Sequence, residues 1–368
     1  MNNKADANNT KSNAQSLLVV GPAWVGDMVM AQSLFKALKR RHANDNIDVL
    51  APAWSAPILA RMPEVRRAVV QPIGHGKFGL LARWRLARQL KSEGYHAAYV
   101  IPRSLKAALI PFFAAIPKRI GYKGEFRYGL LNDIRRLDKK RLPQTVQRYV
   151  ALAELYESDK VVATPHPQLD INPDNRDALI ERLQLNLERP VIALMPGAEY
   201  GPSKQWPLSF YRELAQRCIE RGRVVWVMGS EKDRAAGEEI CTGLESEFAH
   251  NLCGKTRLED AIDLLSCAAA AVSNDSGLMH VAAAVNRPLL AIYGSSTPAY
   301  TPPLSNRASV LYRGLECSPC FDRSCRFGHN NCMRLISSND ALLKLEELLE
   351  KYKGSETKVA GSKSSKEL

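Results

Sequence analysis

The chain alternates short apolar runs with longer amphipathic segments. In the first half, four apolar runs predict buried strands, at residues 17–20, 47–50, 68–70 and 97–101. The segments between and after them have helical periodicity, at residues 28–41, 55–62, 78–93, 105–115 and 144–157. Strands that alternate with helices at this spacing predict βαβ units and a parallel sheet.

The same pattern restarts after a stretch rich in proline and turn residues. Residues 163–172 predict a linker, and a connecting helix follows them up to residue 185. Strands are then predicted at residues 191–194, 224–228, 268–272 and 289–293, and helices at residues 207–220, 233–245, 258–266, 278–285 and 339–352. We therefore predict an α/β protein with two Rossmann-like, doubly wound domains that face each other across a cleft.

The predicted organisation follows from these patterns and from a length of 368 residues, which favours two domains. The polar ends, residues 1–16 and 353–368, are predicted to be disordered. Between them we place an N-terminal domain at 17–162, the linker and connecting helix at 163–185, a C-terminal domain at 186–338 and a final helix at 339–352.

Two polar turns follow predicted strands and mark the cleft. Asp27 lies in a glycine loop after the first strand, and residues 274–277 join the strand at 268–272 to a helix. Ligands of open α/β sheets bind at the carboxyl ends of the strands, and a helix N-terminus with free N–H groups attracts anions. Neither glycine loop fits the G-x-G-x-x-G pattern, so no dinucleotide fingerprint is predicted.

The net charge of +13 is concentrated in one region of the chain. Residues 61–148 contain 20 Lys and Arg against 5 Asp and Glu. Such a local excess favours an anionic partner, and a solvated basic surface is the alternative. No apolar run approaches the roughly 18 to 20 residues of a membrane span, and the polar N-terminus has no apolar signal-peptide core. These features predict a cytoplasmic protein.

Four of the eight cysteines form a compact cluster, Cys317, Cys320, Cys325 and Cys332. Their spacing is short enough for a tetrahedral structural zinc site, and reduced thiols in a structural loop are the alternative. We find no metal-binding Asp-x-Asp at a strand end, so no metal is predicted in the cleft.

The motifs GPAWVGDMVMAQSLFKAL, KQWP, SNDSGLMHVAAA and RPLLAIYGSS together resemble the bacterial heptosyltransferases of lipopolysaccharide inner-core synthesis. The resemblance covers about residues 17–352. It implies the GT-B fold, with an acceptor-binding N-terminal domain and an ADP-sugar-binding C-terminal domain. It also implies transfer of L-glycero-D-manno-heptose from ADP-heptose, with inversion and no cofactor, onto the first heptose of heptosyl-Kdo2-lipid A at the inner face of the inner membrane.

Other functions remain open at this point. One is another core heptosyltransferase of the same family or a different GT-B sugar transferase. A non-enzymatic alternative is a nucleic-acid-binding protein that uses the basic half. The basic residues have little aromatic interleaving and no recognised nucleic-acid-binding module, so we expect no nucleic-acid partner.

The resemblance implies that Asp27 is the catalytic base, whereas its position alone favours a helix N-cap. Lys204, in a loop after the first strand of the second half, is expected to neutralise the leaving diphosphate; a solvent-facing lysine is the alternative. Ser276, Gly277 and His280 are expected at the phosphates, although His280 also fits a buried position. Asp275 suits helix capping or sugar hydroxyls, Glu231 the ribose or an exposed position, and residues 295–297 form a further hydroxyl-rich loop.

The basic residues of the first half are candidates for binding the phosphates and carboxylates of the acceptor. Those near predicted loops or helix starts are Arg61, Arg103, Lys106, Lys118 and Arg119. The helix at 78–93, with Trp84 among Arg83, Arg85 and Arg88, suits anionic lipid or an ordinary solvated face.

Overall fold

The computed structural model describes residues 14–74, 77–154 and 163–353. Most of both predicted disordered ends, and the end of the helix predicted at 144–157, lie outside the described residues. Within them, no helix is long and apolar enough to cross a membrane.

The first sheet has six parallel strands in the order β3-β2-β1-β4-β5-β6. They are β1 (Ser16–Val20), β2 (Asn46–Ala51), β3 (Val65–Val70), β4 (Ala97–Val100), β5 (Lys118–Tyr122) and β6 (Asp133–Arg135). The accompanying helices are α1 (Val25–Arg41), α2 (Ala56–Leu59), α3 (Leu80–Lys91), α4 (Leu105–Phe113) and α5 (Thr145–Val150).

The second sheet repeats this topology with the order β12-β11-β10-β7-β8-β9. Its strands are β7 (Val191–Met195), β8 (Val224–Val227), β9 (Ala249–Asn251), β10 (Ala270–Asn274), β11 (Leu289–Tyr293) and β12 (Ala308–Tyr312). Its helices are α7 (Leu208–Ile219), α8 (Arg234–Cys241), α9 (Leu258–Leu265), α10 (Gly277–Ala284), α11 (Asn331–Arg334) and α12 (Ser338–Tyr352), and α6 (Pro173–Arg182) precedes β7.

Both strand orders are that of the Rossmann fold, so the predicted pair of doubly wound domains is confirmed. The apolar runs of β7 and β11 are fully buried because helices cover both faces of a parallel sheet. The prediction missed four strands, β5, β6, β9 and β12, which lie toward the sheet edges. Edge strands are less buried, so their sequences are less continuously apolar.

Close contact between the first helix of one domain and α10 of the other brings the two sheets together. Gly26 and Gly277 make this approach possible: a Cβ on Gly277 would lie 2.8 Å from Cβ of Val25, and one on Gly26 would lie 2.6 Å from Cδ2 of His280. The N-terminal ends of α1 and α10 therefore meet, one from each domain.

Candidate active site

The candidate residues lie where each sheet reverses its strand order. Asp27 follows β1, Lys204 follows β7 and residues 275–277 follow β10. The reversal falls between β1 and β4 in the first sheet and between β7 and β10 in the second. Crevices at such switch points are the usual ligand sites of open α/β sheets. The structure thus brings together residues that are about 180 to 250 positions apart in the chain.

Asp27 lies in the first turn of α1, which begins at Val25 and not at Met28 as the sequence suggested. Trp24 occupies the N-cap position, so the capping role considered for Asp27 is wrong. The Asp27 carboxylate instead accepts a 3.0 Å hydrogen bond from the hydroxyl of Tyr149. Burial raises the pKa of Asp27, while the Tyr149 hydrogen bond and nearby Lys204 act in the opposite direction. A carboxylate with a raised pKa beside a cleft suits a general base.

Lys204 is held by Asp275 in a nearly buried ion pair. Its Nζ lies 2.6 Å from Oδ2 of Asp275, and the two side chains are 17% and 5% exposed. Ser296 donates a 2.6 Å hydrogen bond to the same carboxylate oxygen, and Thr301 approaches the other oxygen at 3.5 Å. Asp275 therefore anchors the cation and does not cap α10. The pairing itself was not predicted from the sequence.

Ser276 is the N-cap of α10, and its Oγ accepts a 3.4 Å hydrogen bond from the backbone N–H of Met279. It also lies 3.1 Å from Oγ of Ser273. The first turn of α10, which starts at Gly277, thus points toward the Lys204 and Asp275 pair. A helix N-terminus beside a cation favours an anionic group.

His280 is buried, and its imidazole lies against Gly26 of the other domain. Burial lowers the pKa of His280 to about 4. The ring is therefore neutral near pH 7 and offers at most one N–H donor to a ligand. The alternative of a buried position is confirmed, and contact of His280 with the phosphates stays a prediction.

Glu231 lies after β8, in a short 3-10 helix at Glu231–Asp233, and its side chain is 67% exposed. Arg234 donates two hydrogen bonds to it, at 2.6 and 2.7 Å. This hydrogen bonding lowers the pKa of Glu231. Its assignment to the ribose stays a prediction, and any ligand must share the carboxylate with Arg234.

The predicted acceptor residues form two groups in the first sheet, one at the carboxyl ends of the strands and one at the amino ends. Arg103 and Lys106 follow β4 at the same edge as Asp27. Arg103 lines a cavity of about 620 Å³ with three further cations from the strand ends nearby, Lys123, Arg136 and Lys139. These three residues were not among the candidates from the sequence. All three follow β5 or β6, and a position after a strand end is what would have indicated them. Because neither strand was predicted, that position was not recognised.

The assignments of Arg61 and Arg119 to acceptor binding are corrected by the structure. Arg61 follows α2, which runs back toward the amino edge of the sheet, and its guanidinium pairs at 2.6 Å with buried Asp263 of the second domain. Arg119 lies at the start of β5, together with Lys118, and donates hydrogen bonds to the backbone carbonyls of Leu130 and Ile116. Both arginines make contacts within the protein at the amino ends of the strands, opposite the carboxyl ends where Asp27 lies.

Helix α3 presents a mixed apolar and basic surface. The exposed apolar and basic residues on this helix and just before it are Lys77, Phe78, Leu80, Leu81, Trp84, Arg85, Arg88 and Lys91. Arg83 does not belong to this surface, because it is buried and donates to the carbonyl of Phe78. The guanidinium of Arg88 lies 5.0 Å from the centroid of the Trp84 ring. The surface is defined by these exposed residues and is called the α3 surface below.

The four clustered cysteines line one small cavity together with His329 and Asn330. All four are free thiols. Within residues 14–74, 77–154 and 163–353, no three His, Cys, Asp or Glu side chains are arranged to hold a metal ion. The predicted structural zinc site therefore lacks a ligand set among the described residues, and the four free thiols fit the alternative of reduced cysteines in a structural loop.

Comparison with known proteins identifies the family of this chain. Residues 83–331 match the family described as glycosyltransferase family 9 (heptosyltransferase). The chain belongs to glycosyltransferase family 9. It is therefore an enzyme, and the alternative of a non-enzymatic nucleic-acid-binding protein is wrong.

Relatives in this family match most of the chain. It is 48% identical over 303 residues to lipopolysaccharide heptosyltransferase 2 of Escherichia coli strain K12, which covers 80% of this chain and 87% of that protein. It is 47% identical over 350 residues to lipooligosaccharide heptosyltransferase 2 of Haemophilus influenzae, covering 91% and 100%. The solved structure of E. coli ADP-heptose lipopolysaccharide heptosyltransferase II matches with a TM-score of 0.82 at 42% identity, covering 92% of this chain and 100% of that chain. The resemblance drawn from the sequence motifs is thereby confirmed.

Proposed function

We propose that this enzyme transfers L-glycero-D-manno-heptose from ADP-heptose to the first heptose of heptosyl-Kdo2-lipid A, with inversion at the anomeric carbon. The observation that carries the proposal is the meeting of Asp27 with the Lys204 and Asp275 pair at the two switch points. A base and an anion-binding cation face each other there, as a sugar transfer requires. The names of similar proteins supply the donor and acceptor classes: lipopolysaccharide or lipooligosaccharide heptosyltransferase 2 for two relatives, and ADP-heptose for the solved E. coli structure.

In this mechanism Asp27 removes the proton of the acceptor hydroxyl. The hydroxyl oxygen then bonds to the anomeric carbon, while the bond from that carbon to the diphosphate breaks and its electron pair leaves with ADP. Because the pKa of Asp27 is raised by burial, its carboxylate is a stronger base than an exposed aspartate. Approach from the side opposite the diphosphate inverts the anomeric centre.

The leaving diphosphate is stabilised by Lys204, by the first N–H groups of α10 and by the Ser276 hydroxyl. Asp275 holds the Lys204 ammonium in place before the donor arrives. The anchored cation does not have to be ordered during the reaction, so its stabilisation of the developing charge costs less reorganisation. Gly277 places no side chain at the N-terminal end of α10. Glu231 is proposed to contact the ribose, which would share the Glu231 carboxylate with Arg234.

The acceptor is proposed to place its phosphates or Kdo carboxylates in the cavity lined by Arg103, Lys123, Arg136 and Lys139. Adjacent strands are about 4.8 Å apart, and β4 and β5 are one and two strands from β1, so the strand ends beside the cavity lie on the order of 5 to 10 Å from the end of β1, which precedes Asp27. One carboxylate already sits there: Oε2 of Glu125 accepts a 2.9 Å hydrogen bond from the first N–H of α4. An acceptor carboxylate has the same chemistry.

The α3 surface is proposed to rest on anionic lipid of the membrane that carries the acceptor. Exposed Phe78, Leu81 and Trp84 supply apolar groups, and Arg85 and Arg88 supply positive charge at the same face. Flotation with vesicles tests this: Arg85→Glu/Arg88→Glu should lose binding to acidic vesicles while retaining turnover on a detergent-dispersed acceptor. Unchanged flotation would remove this surface from the proposal.

The decisive experiment uses two defined acceptors, Kdo2-lipid A with and without one heptose. With ADP-heptose as donor, we expect mass spectrometry to detect a product only from the acceptor that already carries a heptose. Transfer to the acceptor without heptose would instead support a different core heptosyltransferase. Transfer to neither acceptor would overturn the proposed function, and Asp27→Ala serves as the inactive control.

A further inference from the structure

Helix α5 carries a side chain that reaches Asp27 of the candidate active site. The hydroxyl of Tyr149 donates a 3.0 Å hydrogen bond to Oδ1 of Asp27, 122 positions earlier in the chain. Burial and the neighbouring carboxylate hold the pKa of Tyr149 well above its usual value, so the hydroxyl remains protonated throughout the working pH range. Tyr149 is therefore a permanent donor to this carboxylate.

The position of α5 is set by both domains. From the first domain, the hydroxyl of Tyr122 donates a 2.8 Å hydrogen bond to the carbonyl of Arg148. From the second domain, the carbonyl of Tyr300 accepts a 2.9 Å hydrogen bond from the N–H of Thr145, and the Tyr300 ring lies 4.8 Å from the Arg148 guanidinium. The second domain thus contacts the helix that carries Tyr149.

The same loop of the second domain also contacts the cation site. Thr301, next to Tyr300, approaches Oδ1 of Asp275 at 3.5 Å, and its carbonyl accepts a 2.6 Å hydrogen bond from the Tyr293 hydroxyl. Asp275 in turn holds Lys204. One segment, residues 297–301, therefore connects the anchor of the leaving-group cation with the helix behind the base.

We propose that Tyr149 is a positioning residue that orients Asp27 toward the acceptor, from a helix that Tyr300 of the second domain helps to hold in place. A carboxylate accepts hydrogen bonds through both oxygens. Because Tyr149 occupies Oδ1, Oδ2 is left as the oxygen that receives the acceptor proton. The inference rests on the proposed role of Asp27 as the base.

The charged groups that face Asp27 allow the effect on its titration to be worked out. Lys204 favours the ionised carboxylate, Asp275 opposes it, and neighbouring His280 is neutral because burial lowers its pKa to about 4. The Tyr149 hydrogen bond stabilises the ionised form. Removing only the hydroxyl should therefore raise the pKa of Asp27 and move the acidic limb of the rate profile to higher pH.

The test is Tyr149→Phe, assayed with ADP-heptose and the heptosylated acceptor over a range of pH. We expect kcat to fall about tenfold, the donor KM to stay unchanged and the acidic limb to rise by about one pH unit, the scale of one hydrogen bond to a charged group. Tyr95→Phe is the matched control, because it removes the 2.5 Å hydrogen bond from another tyrosine hydroxyl to a different buried carboxylate, that of Asp48 in β2. It should retain the wild-type pH profile.

A double variant separates failure of this inference from failure of the proposed function. In the Asp27→Asn background, adding Tyr149→Phe should cause no further loss of turnover, since the two residues act as one unit. A Tyr149→Phe profile that superimposes on wild type, or an equal shift in Tyr95→Phe, would overturn the positioning role. If Asp27→Asn itself retained normal turnover, the assignment of the base would fall instead.

Discussion

Removal of the Lys204 ammonium should affect stability as well as catalysis. The suitable change is Lys204→Met, which keeps the length of the side chain and removes its charge. In the folded protein Nζ lies 2.6 Å from Oδ2 of Asp275, and the Asp275 side chain is only 5% exposed. After the substitution, Ser296 remains as the short hydrogen-bond partner of that oxygen. The Asp275 charge is then buried without a counterion, and it repels Asp27.

The expected magnitude follows from the burial of this pair. Removing one partner of a buried ion pair typically costs about 3–5 kcal/mol, since the other charge remains desolvated. The second domain is of ordinary size, so its unfolding temperature should fall by on the order of 10 °C. Binding of ADP-heptose and kcat should both decrease, because the missing cation faces the diphosphate in the bound state and in the transition state.

The assay combines thermal unfolding, calorimetric titration with ADP-heptose and the transfer reaction. The matched control is Lys232→Met: its Nζ also lies 2.6 Å from a carboxylate, that of Glu199, but the two side chains are 74% and 56% exposed. We expect that control to melt with wild type, because exposed pairs add little. The double variant Lys204→Met/Asp275→Asn should recover most of the lost stability and none of the activity.

Two results would refute this reasoning. If Lys204→Met unfolded at the wild-type temperature, the pair would not be buried in the way the structure describes. If the double variant recovered transfer together with stability, Lys204 would have no role at the diphosphate.

Four further predictions concern single side chains. Asp27→Ala should retain ADP-heptose binding and lose transfer by on the order of a hundredfold or more. In the wild type, kcat/KM should fall as the pH falls through the pKa of Asp27, which burial raises above the usual aspartate value, because the base must be ionised; a flat acidic limb would contradict this. Arg61→Ala leaves buried Asp263 without its cation, so it should lower the free energy of unfolding by roughly 3 kcal/mol and leave the acceptor KM unchanged. Arg136→Ala should raise the acceptor KM with a weaker dependence on salt, and leave melting unchanged.

The errors in the sequence analysis share one physical origin. Arg61 and Arg119 were grouped with Arg103 because all three are basic and adjoin predicted loops. In a parallel sheet, however, strand ends and helix ends lie at opposite edges. Arg103 follows a strand, whereas Arg61 follows a helix and Arg119 begins a strand. The direction of the elements was therefore a usable signal, although β5 was not recognised.

The sequence by itself determined the two-domain architecture and the place of the main candidate residues. Fully apolar runs of strand length must be covered on both faces, which alternating helices provide, and polar residues directly after such runs must gather at the carboxyl edge. These rules placed the Asp27 loop and residues 274–280 at the cleft, and the family resemblance then led to the roles expected for Asp27 and Lys204. The motifs that carry the family resemblance lie at the same strand ends.

Only the tertiary structure decided how these residues are paired. Lys204 meets Asp275 across 71 positions, and Asp27 meets Tyr149 across 122. A buried charge needs a partner because desolvation is costly, but the sequence offers many side chains of the right chemistry along the chain. The choice among them depends on the packing of α1 against α5 and on the crossover order of the second sheet. These are long-range contacts with no local signature.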